Sequence, residues 1–535
     1  MVSGESTRHG IRAGERRQRA NSLATSPRGL TIGVLVAVAV AGIMSLPRPL
    51  GGDQALFLYM ARAMHHGSML YRDIWDAKQP GIYGFYYVAG NLFGFNEIGV
   101  HLAELIVMFT LAVVLQRTLP DFGLSRRAAA LAPLAVVLPY YLVSATWDLA
   151  QLEPLIGLPL YLGLWSSIRA RASTEHQARW QFAAGALAAV VTIFKLVYAP
   201  IGIVFLVLSL RREGRVRATV LWFTGVFVVW LPVFIWVAAS GLVHEVWYTW
   251  VSFPRTSRSQ AAQPLSTLTN SARSFGRSLA PIGALGLLGL WTHRKRLERW
   301  MVLALAWVAV GLMLDLTQFW WRYLYWNLNV PIALFAVLGV IALSDAARAN
   351  RRVFGGWLIV VVLLGAYALA PQRERWRDAL SDPTAAFRDD TARNELRALE
   401  EPVYADLDLT VALVKDPEAR PGPVVVFGSP IIQLATGREQ AGKIPGFLAN
   451  TLGPDEWHDF AMQIRATPPA YIFIGSVQNT SEQEFLDTRG VEVERILAAS
   501  YCEAAVVPAG RWLVQCRDVL DTATAVHRTS VGTTS

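Results

Sequence analysis

The sequence predicts an all-α polytopic transmembrane bundle of about eleven helices, followed by a small extracytoplasmic α/β domain at the C-terminal end. Three observations predict it. Of 535 residues, 53% are hydrophobic and 17% charged, against about 25% charged in soluble domains. Apolar runs alternate with short basic loops through most of the chain. Past Pro371 charged residues crowd in and short β-type runs begin.

The elements follow in order. Residues 1–28 are polar and basic, with Arg12, Arg16, Arg17 and Arg19, and read as a disordered cytoplasmic arm. The run Leu30–Leu46 is the first span. No small-residue cleavage site follows it, so no cleavable signal peptide is expected. Basic loops at 117–127, 169–179, 211–217, 293–299 and 348–352 are placed in the cytoplasm by the positive-inside rule. Between them, spans are expected near 98–116, 128–145, 150–167, 181–194, 197–210, 218–239, 279–292, 300–317, 324–344 and 354–371. The runs 181–194 and 197–210 are short and both outer flanks are basic, which predicts a hairpin with Phe194-Lys195-Leu196 at its apex. The amino end then lies inside and the carboxyl end outside, in a plasma (inner) membrane protein.

The transmembrane domain is thus 29–371, with a long first outer loop at 47–97, and an extracytoplasmic α/β domain occupies 372–517. In that domain, Val424–Phe427 and Tyr471–Gly475 read as strands, with a helix over Asp455–Ala466 between them. The Thr/Ser-rich tail 518–535 reads as disordered. The two cysteines are spaced symmetrically about Ala509, which sets Cys502 opposite Cys516 on a hairpin and predicts a disulfide in an oxidising compartment. No CxxC or Cys/His cluster exists, so no zinc site is expected.

The net charge of +9 raises nucleic acid as a partner. The Lys and Arg fall mostly in short loops between apolar runs, however, and no nucleic-acid-binding module is present, so membrane topology accounts for the charge. The outer loop 240–280 is an exception to the topology bias. It carries Arg255, Arg258, Arg273 and Arg277 against one acid, Glu245. An anionic lipid ligand explains such a loop; so does the statistical nature of the rule.

The first outer loop holds the chemistry. It reads Gly51-Gly52-Asp53-Gln54, then Tyr71-Arg72-Asp73-Ile74-Trp75-Asp76-Ala77-Lys78-Gln79-Pro80-Gly81, then an aromatic stretch Ile82–Gly94 suited to lying along the interface. Asp53 is either the N-cap of a helix over 54–65 or a functional carboxylate. Lys78 either snorkels to the interface or neutralises a phosphate. Glu104 in the second span is expected to face the bundle interior. His65 and His66 read as a solvated interfacial pair.

This ordered pattern resembles the C-type (GT-C) integral-membrane glycosyltransferases, in particular the protein O-mannosyltransferases and the aminoarabinose transferases of lipid A. The resemblance covers most of residues 30–480. It implies transfer of a sugar from a polyprenyl-phosphate-linked donor, with inversion, to a hydroxyl on an extracytoplasmic glycan, lipid or protein. Asp53 matches the catalytic carboxylate, and Lys78 in its Lys-x-Pro setting matches the lysine that holds the donor phosphate. Lys195 resembles the family's hairpin-apex lysine. Glu153 in Gln151-Leu152-Glu153-Pro154 resembles the acid at the outer start of the fourth span. Arg322 and Tyr325 fall in the late aromatic and basic loop Phe319–Pro331. Arg255 joins Lys78, Lys195 and Arg322 as a phosphate-binding candidate, and Asp73, Asp76 and Asp148 join Glu153 and Tyr325 as supporting or acceptor-side candidates. Phe427-Gly428-Ser429 and Thr436-Gly437-Arg438 match as well.

One position departs from the family. Many relatives have Asp-Glu where this chain has Asp53-Gln54, and a glutamine is neither a base nor a charge. No cofactor is expected, and the missing second acid counts against a divalent metal requirement. Two other classes stay open from sequence: a lipid or glycan transporter or flippase, and a non-catalytic scaffold of the same fold that binds glycan lipids.

Overall fold

The computed structural model describes residues 27–260, 264–477 and 480–516. Almost all of the N-terminal arm, and the tail, lie outside the described residues. The chain begins with α1 (Pro27–Ile43), then α2 (Gly52–His65), α3 (Pro80–Phe93), α4 (Glu97–Thr118) and α5 (Arg126–Val136). There follow α6 (Gly157–Ala172), α7 (Gln177–Phe194), α8 (Ala199–Ser209), α9 (Arg215–Ala239), α10 (Ala280–His293), α11 (Arg299–Leu316), α12 (Asn329–Ala349) and α13 (Arg351–Leu369).

Every expected apolar run falls on helix, and local signals set the starts. Asn96 caps α4 by accepting from Gly99 N at 2.9 Å, and Ser125 caps α5 by accepting from Ala128 N at 3.2 Å. Among the described residues, six helical stretches are long and apolar enough to cross a membrane: Glu97–Phe122, Arg126–Val143, Arg215–Ala239, Arg299–Leu316, Arg322–Ala349 and Arg351–Ser381. α1 and α8 are apolar but shorter. Length and composition thus support six crossings directly, and the expected eleven leans on shorter helices as well.

Two of the expected spans carry irregular backbone beside the site. The run 150–167 splits into a turn at Leu152–Leu155 and α6, and a 3-10 segment at Arg322–Leu328 precedes α12. These irregular stretches carry site residues, as non-helical backbone at membrane depth does when it lines a protein interior. α9 presents Val216, Val220, Phe223, Phe227 and Phe234 outward, an apolar face suited to lipid. On its other side it packs so closely on α7 that a side chain at Gly185 would run into the Trp222 carbonyl.

The stretch 82–94, expected along the interface, is α3, which packs on α2, α4 and α7 with Ile82, Tyr83 and Tyr86 buried.

The C-terminal part forms a small mixed sheet of β1 (Val424–Phe427), β2 (Tyr471–Val477), β3 (Thr480–Ser481), β4 (Tyr501–Val507) and β5 (Gly510–Gln515). The order is β1-β2-β5-β4, with β3 on β2. β1 and β2 are parallel, in the register Val424↔Tyr471, and the crossover between them carries α15 (Pro430–Thr436) and α16 (Pro454–Ala466), after α14 (Leu407–Lys415). Alternation assigns the faces. Val424, Val426, Phe473 and Trp512 pack on Val411 and Val414 of α14. Val425, Phe427, Ile472 and Ile474 join Trp457 and Phe460 of α16, and that cluster continues into Leu56, Phe57 and Tyr59 of α2. Two backbone N–H groups reinforce the contact: Gln440 N donates to the Tyr59 hydroxyl at 2.8 Å, and Trp75 N to Lys443 O at 2.9 Å. The sheet therefore sits directly on the first outer loop.

Cys502 and Cys516 are bridged, with Cα atoms 4.8 Å apart. The register differs from the expected one. Cys502 stands opposite Val514, because the turn is the two residues Pro508-Ala509 and a bulge lies between Glu503 and Ala505. The symmetric pairing about Ala509 is thus wrong by two positions at the cysteines, although the bridge forms.

Candidate active site

The turn into α2 sets the first carboxylate. Gly51, not Asp53, is the N-cap residue, and Asp53 lies inside the first helical turn. The cap reading of Asp53 is therefore replaced. The Gln54 side chain does that work, its Oε1 accepting from Gly51 N at 2.5 Å. A Cβ at Gly52 would stand 2.6 Å from the Trp147 ring, so a side chain there would displace that ring. Asp53, freed from capping, accepts a hydrogen bond from the Tyr323 hydroxyl at Oδ2 (3.0 Å), and its Oδ1 lies 3.9 Å from Lys78 Nζ. It is 8% exposed.

Lys78 is held by a strained loop. Tyr71 has φ +71°, unusual for a non-glycine residue and costing of order 1–3 kcal/mol. Its ring is fully buried, and its hydroxyl donates to Lys78 O at 2.7 Å while accepting from Trp250 Nε1 at 3.2 Å, which offsets the strain. Asp76 is wholly buried. It accepts from the Tyr83 hydroxyl at 2.6 Å, from Ala77 N at 2.6 Å and from Lys78 Nζ at 3.2 Å. Lys78 also lies over the Phe57 ring at 4.9 Å. Burial pulls the Lys78 pKa down, but Asp53 and Asp76 outweigh it, and the net shift is upward, so the ammonium stays charged.

The second lysine arrives from the α7–α8 hairpin. Leu196 N donates to Gln79 Oε1 at 3.2 Å, joining the Lys78 loop to the apex. A Cβ at Gly81 would stand 2.7 Å from Ile193 O, so a side chain there would force the two segments apart. Lys195 pairs with buried Glu153 at 2.7 Å. Behind Glu153, the Tyr198 hydroxyl donates to Asp315 Oδ1 at 3.1 Å, and Asn327 donates to Asp315 Oδ2 at 2.8 Å.

The loop 144–151 carries the third group. Arg322 bonds Asp148 at 2.9 Å and Ser278 Oγ at 3.0 Å. Asp148 also accepts from Ala145 N at 2.8 Å. Ala150 has φ +47° and is fastened by Glu104 of α4, whose Oε1 accepts its N–H at 2.6 Å and also meets the Tyr140 hydroxyl. Glu104 thus faces the bundle interior.

The structure brings together Asp53, Lys78 and Asp76, with the Lys195–Glu153 pair joined to them through Gln79. Asp73 is not among them. It is half-exposed, accepts from Met69 N at 2.8 Å and pairs with Arg72, whose hydrogen bond holds its carboxyl below the usual range. Arg255 is exposed on a short helix (Phe253–Gln260) and bonds none of these groups; the side chain of Arg258 lies outside the described residues. Tyr325 is buried beside Phe275, with ring centroids 5.5 Å apart, and its hydroxyl has no partner among the described residues. The tyrosine that reaches Asp53 is Tyr323, two positions earlier. Successive residues of the 3-10 segment point about 120° apart, and the aromatic run 319–326 gives no sign of which ring turns inward. Gln54, Gln79, Tyr83 and Asp315 were likewise unsignalled as partners. Among the described residues, no group of three His, Cys, Asp or Glu side chains is placed to hold a metal ion.

In chemical terms, one carboxylate with a tyrosine on one oxygen faces a charged lysine, and a second lysine stands on the adjoining turn. Both lysine side chains keep about a fifth of their surface exposed, so an anion can reach them. Phe427-Gly428-Ser429 and Thr436-Gly437-Arg438 serve the sheet domain instead. Ser429 caps α15, and the Arg438 guanidinium donates to the carbonyls of Val414, Arg420 and Gly422.

No family profile matches the sequence, and no curated protein matches it by sequence. Solved structures do match. ArnT from Cupriavidus metallidurans, bound to undecaprenyl phosphate, superposes with a TM-score of 0.60 at 17% identity, over 90% of this chain and 97% of that one. Archaeal oligosaccharyltransferase AglB from Archaeoglobus fulgidus, in complex with an inhibitory peptide and a dolichol-phosphate, gives 0.50 at 12% identity over 88% and 72%. The Archaeoglobus fulgidus oligosaccharyltransferase tethered to an acceptor peptide gives 0.51 at 12% identity over 90% and 74%. At these identities the likeness is one of architecture: the chain shares its fold with ArnT and with the archaeal oligosaccharyltransferase.

Proposed function

We propose that this protein is a membrane glycosyltransferase that moves a sugar from a polyprenyl-phosphate-linked donor to a hydroxyl of an extracytoplasmic glycan, lipid or protein, with inversion at the anomeric carbon. The observation that carries this reading is the meeting of Asp53, Lys78 and Tyr323, 3.9 Å and 3.0 Å apart at the Asp53 carboxylate, in a chain with this fold. In the proposed step, Asp53 accepts the proton of the acceptor hydroxyl as its oxygen attacks the anomeric carbon. The bond from that carbon to the phosphate oxygen breaks, and polyprenyl phosphate departs with the bonding pair. Lys78 stabilises the charge gained by the phosphate, with Lys195, Arg322 and Arg255 as further candidates. Asp76 and Glu153 keep the two lysines placed, and Asp148 holds Arg322. Asp73 and Tyr325 have no role in this step.

General-base help is worth about 10²–10⁴-fold. Asp53→Asn keeps the size and removes the basicity, and because Gly51 and Gln54 supply the cap, it leaves the helix start intact. The expected result is normal expression with transfer reduced at least ~100-fold, measured as polyprenyl phosphate released from lipid-linked sugars by purified protein. Near-normal transfer by the folded variant removes Asp53 as the base. If the native protein releases no polyprenyl phosphate but moves the lipid across the bilayer, the transporter reading replaces this one.

A further inference from the structure

Gln54, the residue after the candidate base, is completely buried and uses its whole carboxamide. Oε1 accepts from Gly51 N, and Nε2 donates to Thr146 O at 2.8 Å and also to Leu149 O. The donors and acceptors around it fix the orientation of the amide, since two carbonyls face the nitrogen and an N–H faces the oxygen. The loop it grips is the junction of the site. Thr146 donates to Glu400 at 2.6 Å, Trp147 to Glu401 at 2.7 Å, Asp148 holds Arg322, and Ala150 is fastened to Glu104 in a left-handed conformation.

We propose that Gln54 is a positioning residue: its carboxamide locks the turn that presents Asp53 to the 146–149 loop that presents Arg322, so that the base and a phosphate-side cation are held in one rigid frame. The inference rests on the glycosyltransferase reading for its kinetic consequence, though not for the clamp itself. A glutamate would keep the acceptor toward Gly51 but set a charged oxygen against two carbonyls in a buried site. The charged groups around that point are Asp53 on the same turn, Asp148, Glu400 and Glu401 through the loop, Glu104 on α4, and the cations Arg48, Lys78, Arg322 and Arg375. Acids outnumber bases, and burial adds to their effect, so a carboxyl at 54 is held protonated to higher pH than usual. Only its protonated form donates.

The test uses the full-length protein in nanodiscs, with Gln54→Ala and Gln54→Glu. Gln54→Ala should lower kcat at least tenfold at every pH, with donor KM within about twofold, since small misplacements of a catalytic group are costly. Gln54→Glu should transfer well at the acid end of the range and lose kcat as pH rises, along a limb that the native protein lacks. A raised carboxyl pKa also makes stability fall as pH rises, so kcat is read per folded protein, well below the melting temperature at each pH. Hydrogen–deuterium exchange over 144–151 should rise in Gln54→Ala, whatever the activity. Variants with native kcat across pH, or unchanged exchange over that loop, overturn the positioning role. A native protein that transfers no sugar while Gln54→Ala still loosens the loop keeps the clamp and overturns only the glycosyltransferase reading.

Discussion

At the scale of single residues, the two lysines of the site differ in what they leave behind. Asp76, the partner of Lys78, also accepts from Tyr83 and from its neighbour's N–H. Glu153, the partner of Lys195, has one buried oxygen with no hydrogen bond among the described residues, and its other oxygen bonds the lysine, with the Tyr198 hydroxyl 3.5 Å away. Removing Lys195 therefore strands a buried carboxylate, at a cost of about 3–5 kcal/mol, whereas removing Lys78 leaves its partner solvated by fixed donors. Lys78→Ala should weaken polyprenyl phosphate binding at least tenfold, or about 1.4 kcal/mol, with a small change in melting temperature. Lys195→Ala should lower the melting temperature by clearly more. Titration calorimetry and thermal unfolding in detergent check both; unchanged affinity in Lys78→Ala takes that lysine out of the site, and equal stability losses refute the stranded-carboxylate argument.

At the scale of elements, the segment after α13 is clamped to the turn after α1 and to the loop after residue 141. Arg48, just past α1, pairs with Glu400 at 2.6 Å, and Arg375 lies 3.9 Å from the same carboxylate while donating to Ser144 O at 3.1 Å and Leu142 O at 2.9 Å. Burial pushes the Glu400 pKa up, but the two guanidinium groups and the bonds from Arg48 and Thr146 hold it below its usual value. A depressed carboxyl pKa stabilises the folded state at pH above the unfolded value of about 4.3, and this contribution is lost as pH falls through the folded value. The melting temperature should thus be insensitive to this pair from pH 6 to 8 and should fall on acidification below roughly pH 4. Glu400→Gln should cost about 3 kcal/mol at neutral pH and flatten part of the acid limb. An acid limb identical to the native one in that variant assigns it to other groups.

At the scale of the whole molecule, we propose from the basic loops an odd number of crossings, which would set the two ends of the chain on opposite sides of the membrane. A cysteine tag placed within the first 20 residues and one at Ser381 should label from opposite faces in sealed vesicles. Labelling of both from one face refutes the odd count and moves the sheet domain, along with the loop beneath it, to the other side. The shared apolar cluster of α2 and the sheet makes a second expectation at this scale: the sheet domain and the first outer loop should protect each other, so proteolysis of one should expose the other.

The apolar runs, the interrupting basic loops and the late change in composition determined the helical bundle and the α/β end, because burial in lipid and strand alternation leave periodic, local marks on a sequence. The same locality made Asp53 and Lys78 legible as candidates, since both stand in one loop, and the fold brings them within 3.9 Å of each other. Tertiary structure alone decided the rest. That Tyr323 rather than Tyr325 meets Asp53 depends on the rotation of a short 3-10 segment against α2, 270 positions away in the chain. That Gln54 replaces Asp53 in the capping role depends on where two carbonyls of the 146–149 loop fall. That Cys502 faces Val514 depends on a bulge in a hairpin. Each is a long-range or single-residue geometric choice among side chains of equal local merit, and packing makes that choice only once the helices and the sheet have met.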